Sequence, residues 1–437
     1  MGISAEQALR GRPAPTGWRV RALVAGYSVS AYGNFLNLIA LSLFTYQIAG
    51  TALGIGAVMA LRLFSGVLAG LGAGAITTAL GRRTVMIGAD AAQAAAMTVL
   101  ALSARDPSLA LLLGAVVVLG AGNTLFTVAL RSAVPVIVGH DERTRTNGLL
   151  VTARSFATVL GFASAAGIIA FGGHGLAFAV NGASFVVSAA AVLALRLPTA
   201  ADADTDTGAA AEPAPPQPVP KRPPGVRAGR LLAGIPGLLL GMLLLRGTDA
   251  FASSSHNVAL PMVAGLRSPD NPALFMTEFW VAWAVGTALS PQLLKRLRGE
   301  KAHDARVFAL GTGLMSISFV LAFTGLPLPA LIGAALAAGL ADGCTEIVYV
   351  SRLQAAPEPE RSRLFGLSAS AETAGFSLGM LGAAAALEGF PALTVVAAFH
   401  GTALSGALAL SLYAAVRRHG GLRPHHRPSW FQGHTDR

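Results

Sequence analysis

Charge is what this sequence has least of. Only 12% of its 437 residues are charged, about half the share of an ordinary soluble domain. Against that, 53% are hydrophobic and the mean hydropathy is +0.60. A soluble globular protein is thereby excluded, because so much apolar surface has to face lipid. Cysteine is nearly absent. The single Cys344 rules out an intrachain disulfide and a multi-cysteine metal site, and its place in an apolar run makes it a packing residue. Phosphate loops, dinucleotide fingerprints and H-E-x-x-H are missing as well, which removes support for ATP-driven transport and metal-dependent hydrolysis. No cofactor and no metal are expected. Gly375-Phe-Ser-Leu-Gly379 matches the nucleophile-elbow pattern G-x-S-x-G. That pattern requires a strand-to-helix turn, whereas here it lies inside an apolar helical run.

What is present is a succession of long apolar runs without period-two alternation, which favours membrane helices over a barrel. At ~20 residues per ~30 Å of hydrocarbon the chain has room for about twelve spans. Apolar runs read against breakers place them near 23–46, 53–79, 84–103, 109–138, 148–171 and 176–196, then near 231–258, 272–294, 306–325, 328–350, 364–387 and 391–416. The expected organisation is a cytoplasmic N-terminal segment (1–22), a six-helix bundle (23–196), a linker (197–230), a second six-helix bundle (231–416) and a cytoplasmic tail (417–437). The first apolar stretch is too long for a signal peptide and reads as a retained span. The linker is acidic and then proline-rich, with no apolar period, and reads as disordered.

A net charge of +11 would suit nucleic acid, but the basic residues follow topology instead. Arg82 and Arg83, Arg143 and Arg145, Lys221, Arg222, Arg227 and Arg230, Lys295, Arg296 and Arg298, Arg361 and Arg363, and Arg417 and Arg418 fall on one side of the twelve-span arrangement. The opposite loops offer Arg105 and Arg267. Short cytoplasmic loops carry such an excess, so both termini are expected in the cytoplasm of a bacterial cell, with no nucleic-acid partner.

The two halves repeat. Arg143-Thr-Arg-Thr-Asn-Gly148-Leu149 between spans four and five recurs as Arg361-Ser-Arg-Leu-Phe-Gly366-Leu367 between spans ten and eleven, each after a glutamate, Glu142 and Glu360. Gly161 and Gly379 match at the same offset. A shared pattern at matching places points to parallel structural repeats.

With these motifs the chain resembles the major facilitator superfamily, and within it the drug:proton antiporter branch that includes macrolide and enterobactin exporters. The residues that carry the resemblance are Arg131-Ser-Ala-Val-Pro135, Asp141-Glu142-Arg143, Asn147-Gly148-Leu149 through Arg154, and Gly81-Arg82-Arg83. The resemblance implies an all-α membrane protein of twelve transmembrane helices in two six-helix bundles. Two departures stand out. The superfamily's loop after span two usually reads G-x-x-x-D-R-x-G-R-R, whereas Gly74 to Arg83 carries Thr78 and Ala79 where the acid and first base belong. The gate it normally holds would then rest on other residues, with Asp90 and Arg131 as the expected pair. The antiporter signature G-P-x-x-G-G of span five is also altered: Phe162 follows Gly161, and Ala165 and Ala166 replace the glycines.

Ionisable groups inside the membrane cost at least a few kcal/mol when unpaired, so they are the candidates for mechanism. Arg246 and Asp249 are three apart in span seven and share a face; Asp342 and Glu346 are four apart in span ten and do the same. Each pair reads either as a proton-sensitive group or as a fixed contact between helices. Spans one, four, seven and ten line the cavity in the superfamily that this chain resembles, which gives these residues weight. Asp249, Asp342 and Glu346 are the proton-coupling candidates; Asn34, Asn37, Asn123 and Arg246 are the cavity candidates. Gly74, Gly81, Arg82, Arg83, Asp90, Arg131, Arg154 and Glu372 are candidates for gating, Arg154 and Glu372 being equivalent in the two repeats with opposite charge. Arg62 in span two and Glu278 in span eight, toward the outer side, read as snorkelling groups or an external gate as well as they read as coupling groups. Gly66, Gly70 and Gly74 on span two, with Gly375 and Gly379 on span eleven, are spaced for close helix approach, either for packing or for rocking of the halves.

The expected function is export of a small organic molecule (a drug, antibiotic, siderophore or other secondary metabolite) by a monomer in exchange for protons, with alternating access. Proton-coupled uptake is the alternative within transport. A non-transporting scaffold or sensor is the alternative outside it.

Overall fold

The computed structural model describes residues 17–138, 143–195, 235–296 and 305–419. The terminal stretches 1–16 and 420–437, the linker 197–230, Asp141, Glu142, Arg298 and the side chains of Arg143, Arg145, Asn147 and Arg418 lie outside the described residues.

With no water in a bilayer to satisfy backbone groups, an apolar chain of this kind closes its N–H and C=O bonds within helices, and helices are the regular structure of the described residues. They are α1 (Gly17–Ala49), α2 (Ala52–Leu80), α3 (Arg82–Leu102) and α4 (Leu109–Val138). A 52-residue run, Arg143–Ala194, follows; its helical dihedrals break at Gly172 and Gly173, so it comprises two helices, α5 (143–171) and α6 (174–194). The second set is α7 (Gly237–Arg267), α8 (Pro272–Arg296), α9 (Ala305–Ala322), α10 (Leu328–Gln354), α11 (Glu358–Leu387) and α12 (Ala392–His419). The fold is the expected all-helical membrane architecture.

Glycine and proline set the boundaries. Gly50, Gly81, Gly173 and Gly325 have φ of 67°, 79°, 67° and 92°, and each sits in a turn between consecutive helices. Pro236, Pro327 and Pro357 occupy the N-caps of α7, α10 and α11, where a missing N–H costs nothing. Two expected bounds shift for this reason. α7 starts six residues later than the apolar run does, after Pro236, and continues to Arg267 through Pro261; α11 starts earlier, at Glu358. Among the described residues, eight helical runs are long and apolar enough to cross a membrane, and α1, α7 and α11 are not among them. Their polar residues, such as Arg246, Asp249 and His256 on α7, dilute the hydropathy of helices that the packing nevertheless places among the rest.

The helices form two compact units, α1 to α6 and α7 to α12, with the first turn of α2 counted in the second unit and the first turn of α8 in the first. Within each unit the partnerships repeat: α1 packs on the α5–α6 run as α7 packs on α11 and α12, and α3 packs on α4 as α9 packs on α10. The equivalent glycines Gly161 and Gly379 do the same work. A Cβ on Gly161 would lie 2.7 Å from the Tyr32 carbonyl oxygen of α1. One on Gly379 would overlap the Phe251 carbonyl and Ser254 hydroxyl of α7. Gly375 presses on Gly247 of α7 in the same way, and Gly66 approaches Thr124 and Gly120 of α4. These glycines serve packing inside a unit, and the helical course of α11 through Gly375 and Gly379 removes the elbow motif.

Gly74 differs, since a Cβ there would meet nothing within 4 Å. Gly81, at φ 79° and ψ 145°, is the N-cap of α3 in a backbone region that side chains disfavour. Gly81→Ala is therefore expected to cost about 1–3 kcal/mol, whereas Gly74→Ala in the α2 interior should be neutral or gain up to ~1 kcal/mol. Thermal unfolding of the two purified variants in detergent checks the difference, and equal shifts would refute it.

Candidate functional site

Each unit gathers polar groups of a different sign. In the second unit the centre is Arg246, whose side chain is 16% exposed. Its Nη1 lies 3.7 Å from Asp249 Oδ2, one turn along α7. Nη2 donates to Glu346 Oε2 of α10 at 2.5 Å, and Nε lies 3.5 Å from Glu372 Oε1 of α11. The guanidinium carbon also sits 5.7 Å from the centre of the Tyr349 ring, a favourable placement for a cation over an aromatic face. A chain of hydroxyls supports the rim: Tyr349 OH donates to Ser368 Oγ at 2.8 Å, and Ser368 Oγ donates to Glu372 Oε1 at 2.6 Å. Asp342, one turn before Glu346, is within electrostatic reach of Arg246 and Glu346.

Three helices thus bring one guanidinium against four carboxylates. Helical spacing explains the local part, since residues three or four apart share a face. The joining of α7, α10 and α11 is tertiary. Asp249 is 5% exposed with Oδ1 buried and unpartnered, while the side chain of Glu346 is 49% exposed. The cluster therefore runs from a shielded acid to a solvated one.

The first unit holds a cavity of about 670 Å³ among α1, α2, α4 and α5. Its wall includes Asn34, Phe35, Arg62, Asn123, Arg131 and Arg154. Arg154 stands 5.8 Å over the Phe35 ring, and Asn34 Oδ1 is buried without a partner. Of the described residues that line the cavity, three are arginines and none is acidic.

The expected site residues divide accordingly. Arg246, Asp249, Asp342, Glu346 and Glu372 come together in the second unit. Asn34, Asn123, Arg131 and Arg154 come together in the first, joined by Arg62. Asn37 is fully buried with both amide atoms unpaired, off the cavity wall. The expected Asp90–Arg131 pair does not form. Asp90 is 1% exposed on α3 with both carboxylate oxygens lacking a hydrogen-bond partner and has Ser188 of α6 as its hydroxyl neighbour, whereas Arg131 lies on the cavity. Arg83 Nη2 donates to the Leu193 carbonyl near the end of α6 at 2.7 Å, where a cation also complements the helix dipole. Arg82 and Gly81 open α3. Cys344 is a buried free thiol, as a packing residue would be. Phe279 and Trp280 pack edge to face in the second unit.

Sequence reading passed over one constellation. His256 Nδ1 of α7 and His400 Nε2 of α12 are 3.2 Å apart and fully shielded, with the His256 ring stacked 3.6 Å from Phe319. The available signal was an ionisable side chain inside each span. Ser368 and Tyr349 carried no such signal, being ordinary residues of membrane helices.

Comparisons with known proteins agree with this architecture. A family model described as Major Facilitator Superfamily matches residues 23–303. A crystal structure of the nucleoside transporter NupG is similar at a TM-score of 0.66 and 13% identity, covering 91% of this chain and 99% of that one. For a peptide transporter POT the values are 0.69 and 15%, with coverage of 95% and 99%. For a bacterial homolog of the human lysosomal transporter Spinster they are 0.66 and 13%, with coverage of 93% and 96%. At such identities the likeness is one of fold. A search of curated proteins gives no match.

Proposed function

Since the chain belongs to the Major Facilitator Superfamily, a family of membrane transporters, we propose that it is a secondary active exporter of a small organic molecule, driven by proton entry. The Arg246 cluster carries this reading. One guanidinium faces Asp249, Glu346 and Glu372 directly and Asp342 electrostatically, so the fully ionised cluster holds a surplus of negative charge on helices in an apolar setting. Charge left unpaired there is costly, and proton binding removes it. Because Arg246 is shared, a proton taken by one carboxylate frees the guanidinium to move toward another. That exchange gives the cluster two arrangements separated by a proton, which is what coupling to a conformational change requires.

The unit 1 cavity supplies the binding site in this reading, and the two sites open alternately to the two sides of the cytoplasmic membrane. Both termini are cytoplasmic and the chain acts as a monomer. The Gly81-Arg82-Arg83 and Arg131-Ser-Ala-Val-Pro135 motifs favour the drug:proton antiporter branch, with a drug, antibiotic, siderophore or other metabolite as cargo.

The test uses everted membrane vesicles with an acid lumen and a panel of fluorescent amphiphiles. Export by proton exchange predicts accumulation of at least one of them. Asp249→Asn, Asp342→Asn and Glu346→Gln should each lower the accumulation ratio toward about one, as loss of coupling demands, with the protein still inserted and monodisperse. Undiminished accumulation in all three variants would remove these carboxylates from the coupling role, and accumulation only with an alkaline lumen would reverse the direction.

A further inference from the structure

Among the described residues, the charge on the wall of the first unit's cavity is of one sign. Arg62 on α2, Arg131 on α4 and Arg154 on α5 converge on one space of about 670 Å³. Among the described residues no acid lines it, and no ion pair of these three arginines is formed. Three like charges around one cavity repel one another, and no other charge among the described wall residues offsets them. An anion that enters would supply the counter-charge that the described wall lacks. The contrast with the second unit is direct: at equivalent places in the repeat, Glu372 is paired with Arg246, while the Arg154 guanidinium stands over the Phe35 ring, at 5.8 Å.

We propose that this cavity binds an amphiphilic organic anion, a carboxylate, sulfonate or phosphate ester of drug size, as the transported substrate. Guanidinium groups offer planar pairs of N–H donors matched to such head groups. Phe35, Phe126 and Leu130 supply an apolar wall for the body of the molecule, and the volume falls in the range of sites for drug-sized ligands. Asn34, with its buried unpartnered Oδ1, and Asn123 add neutral polar contacts that orient a second polar group. This assignment names the cargo of the transport reading and rests on it. It has a consequence for energetics: an anion leaving and a proton entering both move positive charge inward, so an interior-negative potential drives each step of the exchange.

Three matched probes test it on the purified full-length protein: 2-naphthoate, the neutral 2-naphthamide and the cationic 2-naphthylmethylammonium, with binding followed by quenching of intrinsic fluorescence. The naphthoate is expected to bind at least about tenfold more tightly than either congener, the worth of a charge-assisted hydrogen bond. Arg131→Gln and Arg154→Gln should abolish that preference while changing naphthamide binding by less than about twofold, and Arg154→Lys should retain part of it. Should Arg62→Gln fail to yield monodisperse protein, the two exposed positions, Arg131 and Arg154, carry the comparison. Ammonium binding equal to that of naphthoate, equal losses for the acid and the amide in the variants, or no naphthoate binding would overturn the proposal. Abolition of naphthoate binding by phosphatidylglycerol in the micelle would assign the arginines to a lipid head group and overturn it too. In proteoliposomes, a potassium–valinomycin potential should accelerate naphthoate movement. Anion-selective binding without a response to pH would leave the site standing and remove proton coupling. Intact coupling with no anion preference would do the reverse.

Discussion

Arg246→Ala is expected to abolish proton-driven accumulation and to destabilise the second unit by about 3 kcal/mol. Truncating the guanidinium leaves Asp249, 5% exposed, without its counter-charge, and takes the shared cation from Glu346 and Glu372. The lower end of the usual range for breaking a buried pair applies. Glu346 and Glu372 have side chains 49% and 35% exposed, so water screens part of what they lose. A second change separates stability from coupling. Adding Asp249→Asn to Arg246→Ala removes the shielded charge and should recover more than half of the lost stability, because the destabilisation comes from an uncompensated charge. Accumulation should not recover with it. Thermal unfolding in detergent and accumulation in energised vesicles measure the two quantities. A variant Arg246→Ala that still accumulates substrate against its gradient would end the role assigned to the cluster.

The second large effect concerns backbone contact on the fourth helix of each unit. A Cβ on Gly120 of α4 would overlap the Arg62 carbonyl of α2, and one on Gly339 of α10 would overlap the Trp283 carbonyl of α8. Gly286 on α8 returns the contact, a Cβ there lying 2.7 Å from the Leu340 amide nitrogen. Thr287 Oγ1 meanwhile donates to the Gly339 carbonyl at 3.1 Å. Two main chains touch with no side chain between them, so nothing flexible can yield. Gly120→Val and Gly339→Val should each cost about 3 kcal/mol or more, the upper end for overpacking, and reduce the yield of monodisperse protein sharply. Gly114→Val on the same helix as Gly120 is the control, since a Cβ there meets nothing within 4 Å. Equal stability of Gly114→Val and Gly120→Val would show that α2 and α4 are not held at backbone distance.

These two cases show where legibility ends. The spans could be read from the chain because a bilayer imposes one requirement on every segment that crosses it, and α4, expected over 109–138, is found at Leu109–Val138. The limits of α7 and α11 shifted because proline, not hydropathy, decides where a helix can begin. The equivalence of Gly161 and Gly379 was visible as a matched offset, and the structure gave it its meaning as close approach of α5 to α1 and of α11 to α7. The glycine pair Gly120 and Gly339 drew no notice, since nothing in their neighbours' sequences reveals which carbonyl lies opposite.

The candidate site divides in the same way. Arg246 with Asp249, and Asp342 with Glu346, were legible as pairs because spacing along one helix fixes a shared face. That Glu372 belongs with them, supported by Ser368 and Tyr349, required three helices to be brought together. Asp90 and Arg131 were matched by charge alone, and the fold separates them. His256 and His400 are 144 residues apart, a distance over which no local periodicity operates.

By itself the amino-acid order determined that this protein is helical, that it repeats, that it belongs in lipid and which ionisable side chains fall within its apolar runs. Those are properties of single segments, governed by length, hydropathy and spacing along one axis. Tertiary structure alone decided that acids gather round one arginine in the second unit while three arginines share a cavity in the first. Coulomb interactions act through space between helices far apart in the chain, and only their packing sets those distances.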